Sequence, residues 1–204
     1  MTQQADLFGA PRAFLPEGFQ YRRDFLDAAA ETSLLDAIRP LPLQEAQYKE
    51  WTAKRRIVSY GGRYDFSQKE LLPAGPIPEF LQPLRERLAL WLGLPAEAFT
   101  HALIAEYRPG TQLGWHRDVP EFEAIAGVSL HGGARMRLRP YPPARGARAA
   151  LTLDLEPRSA YAMLGPARRQ WQHAISPTKE LRYSITFRTL ASHSSTVSIS
   201  NKPA

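Results

Sequence analysis

Two histidines and one aspartate are the residues of this chain best suited to bind a metal ion. His116 and Asp118 are two positions apart, and side chains at this spacing on an extended strand point to the same face. His173 lies in another β-prone segment and is the leading candidate for a third ligand. Two imidazoles and one carboxylate form the facial triad that holds non-haem Fe(II), with coordination positions left open for a co-substrate and oxygen. The same donors also serve zinc hydrolases, so the triad alone leaves two kinds of metal chemistry open.

A strongly β-prone segment, residues 181–188, carries a second chemical pattern. Arginines stand at both ends of an alternating row whose members would share one face of a strand: Arg182, Ser184, Thr186 and Arg188. A planar guanidinium group binds a carboxylate through two parallel hydrogen bonds, so a face with two such groups suits a dicarboxylate. This pattern favours an oxygenase with a dicarboxylate co-substrate over a zinc hydrolase.

The metal triad and the arginine row together resemble the signature of the AlkB-like Fe(II)/2-oxoglutarate-dependent dioxygenases, and the resemblance extends over residues 16–190. It implies a dioxygenase built on a double-stranded β-helix, or jelly roll, with Fe(II) as the metal and 2-oxoglutarate as the co-substrate. It makes His116, Asp118 and His173 the iron ligands and places them, with Arg188, in the catalytic centre.

The resemblance also assigns the co-substrate pocket. It makes Arg182 the partner of the distal carboxylate of 2-oxoglutarate, assisted by Tyr107, and Arg188 the partner of the end that chelates iron. Ser184, between the two arginines, is expected to line the same pocket. The chain departs from the family pattern at three positions, Ala105, Ser184 and Pro120. The first two replace asparagines of well-studied members, and the third replaces an acidic residue of some members that act on nucleic acids.

The composition describes one soluble domain, residues 16–190, between a mobile N-terminus (1–15) and a serine-rich, disordered tail (191–204). The 204 residues include no cysteine, which excludes disulfides and thiolate metal sites. No apolar run approaches the length of a membrane span, and no basic-then-apolar leader is present. We therefore predict a cytoplasmic monomer that does not engage membranes. The formal net charge of +6 favours anionic partners, although a solvated basic surface explains it equally well.

Two helices are predicted in the first half of the chain. The first spans residues 24–38, with Asp27 as a plausible N-cap. The second spans residues 78–92, and Gly93 is placed to end it. Both are expected to pack against one sheet.

The second half of the chain changes to short strands separated by turns. Strands are predicted near residues 101–107, 113–116, 125–131, 135–141, 149–155, 159–163, 170–175 and 183–190. Strands at this spacing indicate a β-sandwich or jelly roll with its core near residues 100–190. The predicted fold class is mainly β with flanking helices.

Residues 52–68 are predicted to form a basic and aromatic hairpin. A strand at 54–60 is followed by a turn at Gly61 and Gly62 and a second strand at 63–66. In AlkB-like enzymes this region is the lid that recognises nucleotides. The resemblance therefore implies that Tyr60 and Tyr64 bind substrate by stacking on a base.

A second basic segment, residues 135–148, contains five arginines and no acidic residue. Arg137 and Arg139 are predicted to contact nucleic-acid phosphates, although a solvated sheet face is an equally good interpretation. The segment and the hairpin are expected to lie on the same side of the metal opening.

These features predict an oxidative demethylase of N-alkylated bases in DNA or RNA. Iron would use 2-oxoglutarate and oxygen to hydroxylate an N-methyl group, with release of succinate, CO2 and formaldehyde. The base would be flipped out or already single-stranded, because a methyl group inside a duplex cannot reach the metal. Two alternatives stay open: the same chemistry on a protein or small molecule, and a nucleic-acid-binding module with a vestigial metal site.

Overall fold

The computed structural model describes residues 15–48, 51–65, 68, 70–146 and 151–191. The predicted mobile N-terminus, apart from Leu15, and the predicted disordered tail, apart from Ala191, lie outside the described residues. Ala191 itself is buried, and its backbone N–H donates to Glu121 O at 2.8 Å. The predicted tail therefore begins one residue too early.

Thirteen strands and three α-helices make up the described chain. In order they are β1 (Phe19–Arg22), α1 (Ala28–Ile38), β2 (Gln44–Tyr48), β3 (Trp51–Tyr60), β4 (Arg63–Asp65), β5 (Glu70–Leu72), α2 (Gln82–Leu92), β6 (Phe99–Tyr107), β7 (Leu113–His116), β8 (Phe122–Leu130), β9 (Ala134–Pro140), β10 (Leu151–Leu155), β11 (Ala160–Met163), α3 (Gly165–Arg169), β12 (Trp171–Ile175) and β13 (Arg182–Leu190). Short 3-10 turns at Glu79–Leu81 and Ala96–Ala98 precede α2 and β6.

The strands form two principal antiparallel sheets. The major sheet has the order β1-β11-β8-β13-β6-β3-β2, and the minor sheet has the order β10-β9-β12-β7. One apolar cluster joins the inner faces of the sheets, with Ile125 and Met163 from the major sheet and Met136 and Leu138 from the minor sheet. This two-layer arrangement agrees with the predicted jelly roll.

Helices α1 and α2 cover the other face of the major sheet, as predicted. Asp27 caps α1 by accepting a hydrogen bond from Ala30 N at 2.8 Å. Gly93 ends α2 in the left-handed conformation (φ 66°) that glycine adopts without steric cost. Leu34, Leu35, Ile38, Leu84 and Leu88 bury the apolar sides of the two helices against β6, β8 and β13. No helix in the described part of the chain is long and apolar enough to cross a membrane.

The predicted hairpin over residues 52–68 is wrong in its pairing. Strand β3 pairs with β2 and β6 in the major sheet, whereas β4 pairs with β5 in a separate two-stranded sheet. Gly61 (φ 77°) marks the division, because its N–H donates to Gly75 O and a Cβ there would collide with the carbonyl of Thr100. Strands β1, β2 and β5 and helix α3 were not predicted from the sequence.

Candidate metal centre and co-substrate pocket

The structure brings the three predicted metal ligands together. His116 ends β7 and His173 lies directly opposite it in β12. Their ring centroids are 4.1 Å apart, and His173 Nε2 is 3.7 Å from Asp118 Oδ2. One donor atom from each of the three residues lies within 4.8 Å of the others. This donor set surrounds a space fit for one divalent metal ion.

A β-bulge orients the first histidine. The register pairs His173 with His116 but Ile175 with Leu113, so two residues of β7, Gly114 and Trp115, oppose one residue of β12. Both Leu113 and His116 can therefore face inward. The Gly114 carbonyl accepts a hydrogen bond from His116 Nδ1 at 2.9 Å, and because a carbonyl only accepts, the proton must be on Nδ1. The lone pair of Nε2 is left for the metal.

The charge states of the triad also suit a cation. Burial opposes ionisation of Asp118, but the guanidinium group of Arg188, followed by His173 and His116, outweighs it and lowers the Asp118 pKa below its usual range. Arg188 Nε donates to Asp118 Oδ1 at 2.8 Å. Burial, followed by the neighbouring His116, lowers the pKa of His173 to about 3. Near neutral pH the site therefore presents one carboxylate and neutral imidazoles, which are the forms that bind a metal.

The co-substrate pocket is built around a buried arginine. Arg182 is 2% exposed and donates from Nε to Ser129 Oγ at 2.8 Å. Its guanidinium carbon is 5.0 Å from the ring centroid of Tyr107, the residue that β6 places opposite it. Within the described chain no carboxylate forms an ion pair with Arg182. A buried cation without a counter-charge is costly, so the pocket fits an anionic ligand such as the distal carboxylate of 2-oxoglutarate.

The other predicted co-substrate residues lie on the same wall. Ser184 pairs with Ala105 on one side and with Ser129 on the other. Burial opposes ionisation of Tyr107, but the guanidinium groups of Arg55 and Arg182 outweigh it and lower its pKa. Arg188 contacts Asp118, so the structure links it to a metal ligand.

The predicted substrate residues are divided between different faces. Tyr60 packs with Val58 against the helix-covered core, and so points away from the metal. Tyr64 pairs with Leu71 in the β4–β5 sheet, and Leu71 packs against the apolar cluster between the two principal sheets. Burial, followed by the negative charge of Glu121, raises the pKa of Tyr64. Tyr60 is therefore not placed to stack on a base at the metal.

Arg137 and Arg139 lie on the outer face of the minor sheet. Leu138 between them points inward and pairs with His173, so strand alternation sends both arginines outward. Their guanidinium carbons are 5.1 and 4.3 Å from the ring of Trp115. Arg137 and Arg139 therefore point away from the space between the sheets, and their position on the same side of the metal opening as residues 52–68 stays a prediction.

Besides Ser129, the partner of Arg182, two buried residues that support the site were not predicted from the sequence. Arg168, in α3, donates from Nη2 to the carbonyl oxygens of Asp118 (3.1 Å), Val119 (2.6 Å) and Phe122 (2.9 Å). His101 lies with Nδ1 3.3 Å from Arg188 Nη1. Strand alternation from Tyr107 would have placed His101 on the pocket face, whereas no sequence pattern indicates the backbone partners of Arg168.

Comparison with known proteins agrees with this site. The family model of the 2OG-Fe(II) oxygenase superfamily matches residues 23–188, a span that contains the triad and both pocket arginines. The chain belongs to this superfamily. It is therefore a dioxygenase, and its cofactors are Fe(II) and 2-oxoglutarate, as predicted.

The resemblance to AlkB-like enzymes is also confirmed. The chain is 29% identical over 175 residues to the alkylated DNA repair protein ALKBH8 homolog of Arabidopsis thaliana. That match covers 74% of this chain and 49% of the relative, so the chain spans about half the length of this curated relative.

Two solved structures share the fold. The structure of OsALKBH1 superposes with a TM-score of 0.67 at 16% identity, over 84% of this chain and 98% of that one. A prolyl hydroxylase in complex with a hypoxia inducible factor oxygen degradation domain peptide fragment, from Trichoplax adhaerens, superposes with a TM-score of 0.59 at 15% identity, over 86% of this chain and 84% of that one. These matches confirm the predicted fold class.

Proposed function

We propose that this oxygenase removes alkyl groups from N-alkylated bases of DNA or RNA. When bound, Fe(II) supplies the oxygen chemistry that hydroxylates an N-alkyl carbon at the expense of 2-oxoglutarate, so that an N-methyl group leaves as formaldehyde with succinate and CO2 as co-products. The curated relative is an alkylated DNA repair protein, which supports this substrate class.

The observation that carries the proposal is a cationic side chain close to a metal ligand, together with an aromatic side chain on the small β4–β5 sheet. Tyr64 pairs with Leu71 in that sheet, and Leu71 packs against the apolar cluster between the two principal sheets. Arg55 lies close enough to Tyr107 and His116 to lower the pKa of both, and its buried Nε has no hydrogen-bond partner among the described residues. A flipped base offers a face for stacking and an edge that accepts hydrogen bonds.

The contacts of the pocket residues support the remaining proposed roles. His116, Asp118 and His173 hold the iron, and Arg188 keeps Asp118 ionised and fixed in orientation. Arg182 binds the distal carboxylate of 2-oxoglutarate.

Arg137 and Arg139 retain a proposed role as phosphate contacts. Because both arginines lie on the outer face of the minor sheet, we assign them to phosphates of the nucleic-acid strand beside the damaged base, and not to the damaged base itself. Their replacement by glutamine should weaken binding to all sequences and flatten its salt dependence. A cytoplasmic location and a monomeric state stay predictions.

Turnover of defined oligonucleotides tests the proposal. Anaerobic titration with Fe(II) and 2-oxoglutarate establishes that the site is loaded. Formaldehyde release is then measured on N-methylated DNA and RNA, single-stranded and duplex, with Asp118→Ala as the inactive control. Formaldehyde from at least one methylated oligonucleotide, and none from the unmethylated strand, is the expected result. Binding of iron and 2-oxoglutarate without such turnover, and without salt-dependent affinity for any oligonucleotide, would redirect the assignment to a protein or small-molecule substrate.

A further inference from the structure

The outer face of the minor sheet carries two stacks of arginine on aromatic rings. The guanidinium carbons of Arg137 and Arg139 lie over the ring of Trp115, at 5.1 and 4.3 Å from its centroid. The guanidinium carbon of Arg117 lies 3.7 Å from the ring centroid of Tyr141. These five residues, here called the arginine-aromatic surface, belong to β7, to β9 and to the first residues after these two strands.

The surface extends across β12, the strand that separates β9 from β7. Arg137 pairs with Ala174 of β12, so its side chain crosses that strand to reach Trp115. Ala174 points outward, because the neighbouring His173 points inward, yet its exposed fraction is 0%. Longer side chains therefore cover this alanine, as expected beneath a continuous layer of rings and guanidinium groups.

The three arginines of the surface have no acidic partner. Arg117, Arg137 and Arg139 form no ion pair with a carboxylate of the described residues. Arg117 donates to Arg169 O at 3.0 Å and Arg139 donates to Gln172 Oε1 at 2.8 Å, both uncharged acceptors. The Nε of Arg137 is buried and has no hydrogen-bond partner in the described part of the chain. Three positive charges are thus available to a polyanion.

One end of the surface lies beside the metal-binding segment. Arg117 stands between the metal ligands His116 and Asp118 in the sequence, and Tyr141 stacks on it. From Arg137 to Tyr141 an extended chain spans about 13 Å. The surface is therefore long enough to contact several groups of an extended polymer whose next unit lies at the metal.

Stacked guanidinium groups and rings suit unpaired nucleobases. A base that is not paired stacks on aromatic rings and on the plane of an arginine side chain. In a duplex the base faces are covered by their neighbours, so a protein surface contacts mainly phosphates. Tyr141 is 41% exposed, which leaves part of its ring accessible to such a base. The arrangement favours a single strand over a duplex.

We propose that the arginine-aromatic surface binds unpaired nucleotides next to the alkylated base, and that the preferred substrate is consequently single-stranded DNA or RNA. The bases stack on the guanidinium and ring planes, while the positive charges contact the neighbouring phosphates. This role rests on the proposed nucleic-acid substrate. It adds Trp115, Arg117 and Tyr141 to the phosphate contacts of Arg137 and Arg139, and it selects the form of the strand.

Two substitutions that keep the net charge test the stacking role. Tyr141→Ala and Arg139→Lys should each raise the Kd of a short, unmethylated, fluorescein-labelled single strand at least about 5-fold in anisotropy titrations, the lower end of the loss of one base stack. The Kd of the matched duplex should change less than about twofold. Because no charge is lost, the salt dependence between about 50 and 200 mM should keep its wild-type slope. Equal weakening of single strand and duplex, or weakening of neither, would overturn the role.

The matched control is Arg135→Lys. Arg135 lies two positions before Arg137 on the same face of β9, but it pairs with Asp154 at 2.9 Å. Within the described residues no aromatic ring lies under its guanidinium group. This variant should keep the wild-type affinity for the single strand. If it weakens binding as much as Arg139→Lys, the effect belongs to the sheet face in general and the stacking role falls.

Turnover separates this role from the proposed function. With a methylated single strand below saturation, formaldehyde release by Tyr141→Ala should fall at least about 5-fold, and it should recover at saturation because only binding is lost. The affinities for Mn(II) and 2-oxoglutarate should be unchanged. Wild-type turnover with unaltered oligonucleotide affinity in both variants would contradict the surface alone. Single-strand binding that depends on the surface, without formaldehyde from any methylated oligonucleotide, would contradict the proposed function alone.

Discussion

Replacement of Arg168 by methionine tests how the metal loop is held in place. The guanidinium group reaches from α3, a few residues before His173, to the backbone of residues 118–122. It thus ties the segment that precedes one metal ligand to the loop that carries another. Methionine keeps a long, unbranched side chain but removes every donor, so the three carbonyl oxygens lose this partner while the space stays largely filled.

The magnitude follows from the hydrogen bonds that are lost. One Nη2 group has two hydrogens to share among three carbonyls, so the loss amounts to about two charge-assisted hydrogen bonds at about 1.5–3 kcal/mol each. The variant also no longer buries a charged guanidinium group, whose Nε has no hydrogen-bond partner among the described residues. Removal of this desolvation cost offsets part of the loss. We therefore expect the free energy of unfolding to fall by about 2–4 kcal/mol, out of the roughly 5–15 kcal/mol typical of a domain.

Metal affinity should fall as well, because Asp118 would no longer be held at a fixed distance from His173. Loss of an interaction that orients metal ligands typically weakens metal binding about 10-fold to 100-fold. Urea denaturation of the metal-free protein measures the change in the free energy of unfolding. Titration with Mn(II), monitored by electron paramagnetic resonance, measures the change in metal affinity. Arg168→Lys keeps a cation that can reach some of the carbonyls and should recover part of both losses.

The neighbouring Arg169 provides the matched control. Its side chain is 54% exposed and pairs with Glu123 at the surface, an interaction that typically contributes less than about 1 kcal/mol. Arg169→Met should therefore leave metal affinity at the wild-type value. If Arg168→Met and Arg169→Met are indistinguishable in both unfolding free energy and Mn(II) affinity, Arg168 does not hold the metal loop.

Three other outcomes are expected. Asp118→Ala should abolish turnover and weaken metal binding with the circular dichroism spectrum unchanged, and residual turnover at saturating iron would remove Asp118 from the ligand set. Arg182→Ala should raise the 2-oxoglutarate Kd at least about 10-fold, since a charged hydrogen-bonding partner is lost, and an unchanged Kd would show that the co-substrate binds elsewhere. Burial is the largest cause that lowers the pKa of His101 and of His173 to about 3, from the usual histidine value of about 6.5. Between these two pH values the unfolded chain binds more protons than the folded protein, so stability must fall with decreasing pH. Urea titrations of the metal-free protein should show that the free energy of unfolding falls by about 2 kcal/mol per histidine by pH 5. His101→Gln should make the free energy of unfolding less dependent on pH. A urea midpoint that does not change between pH 7 and pH 5 would contradict the burial argument.

The parts of the site that the sequence predicted are those governed by strand alternation. Arg182 and Arg188 share the pocket wall because they are an even number of residues apart on β13, whereas Asp118 lies in the loop after β7 and only its nearness to His116 in the chain brings it to the metal centre. Helices α1 and α2 could also be predicted from the sequence, because the N-cap at Asp27 and the C-terminal stop at Gly93 are local signals. In each case the deciding interaction lies within a few residues of the chain.

The parts that were missed depend on which strands become neighbours. The sequence around Gly61 is typical of a two-residue hairpin turn. However, the strand before it, β3, pairs with β6, and the strand after it, β4, pairs with β5. Tyr60 consequently faces the helices. Local patterns carry no information about such pairings.

Strand β13 shows why fold and site are specified together. One face carries Arg182 and Arg188, and the other buries Tyr183, Ile185 and Phe187 beneath the helices. A slip of one residue against β6 would exchange the faces, which would push two guanidinium groups into the apolar core and expose its aromatic side chains. Burial of an uncompensated cation costs several kcal/mol, so the arginines required for co-substrate binding also penalise the wrong register. The register is regular from Arg182 to Arg188 and shifts only beyond it, against both β6 and β8. The strand is therefore held in strict alignment over the length that the pocket uses, and the residues that bind the co-substrate help to enforce that alignment.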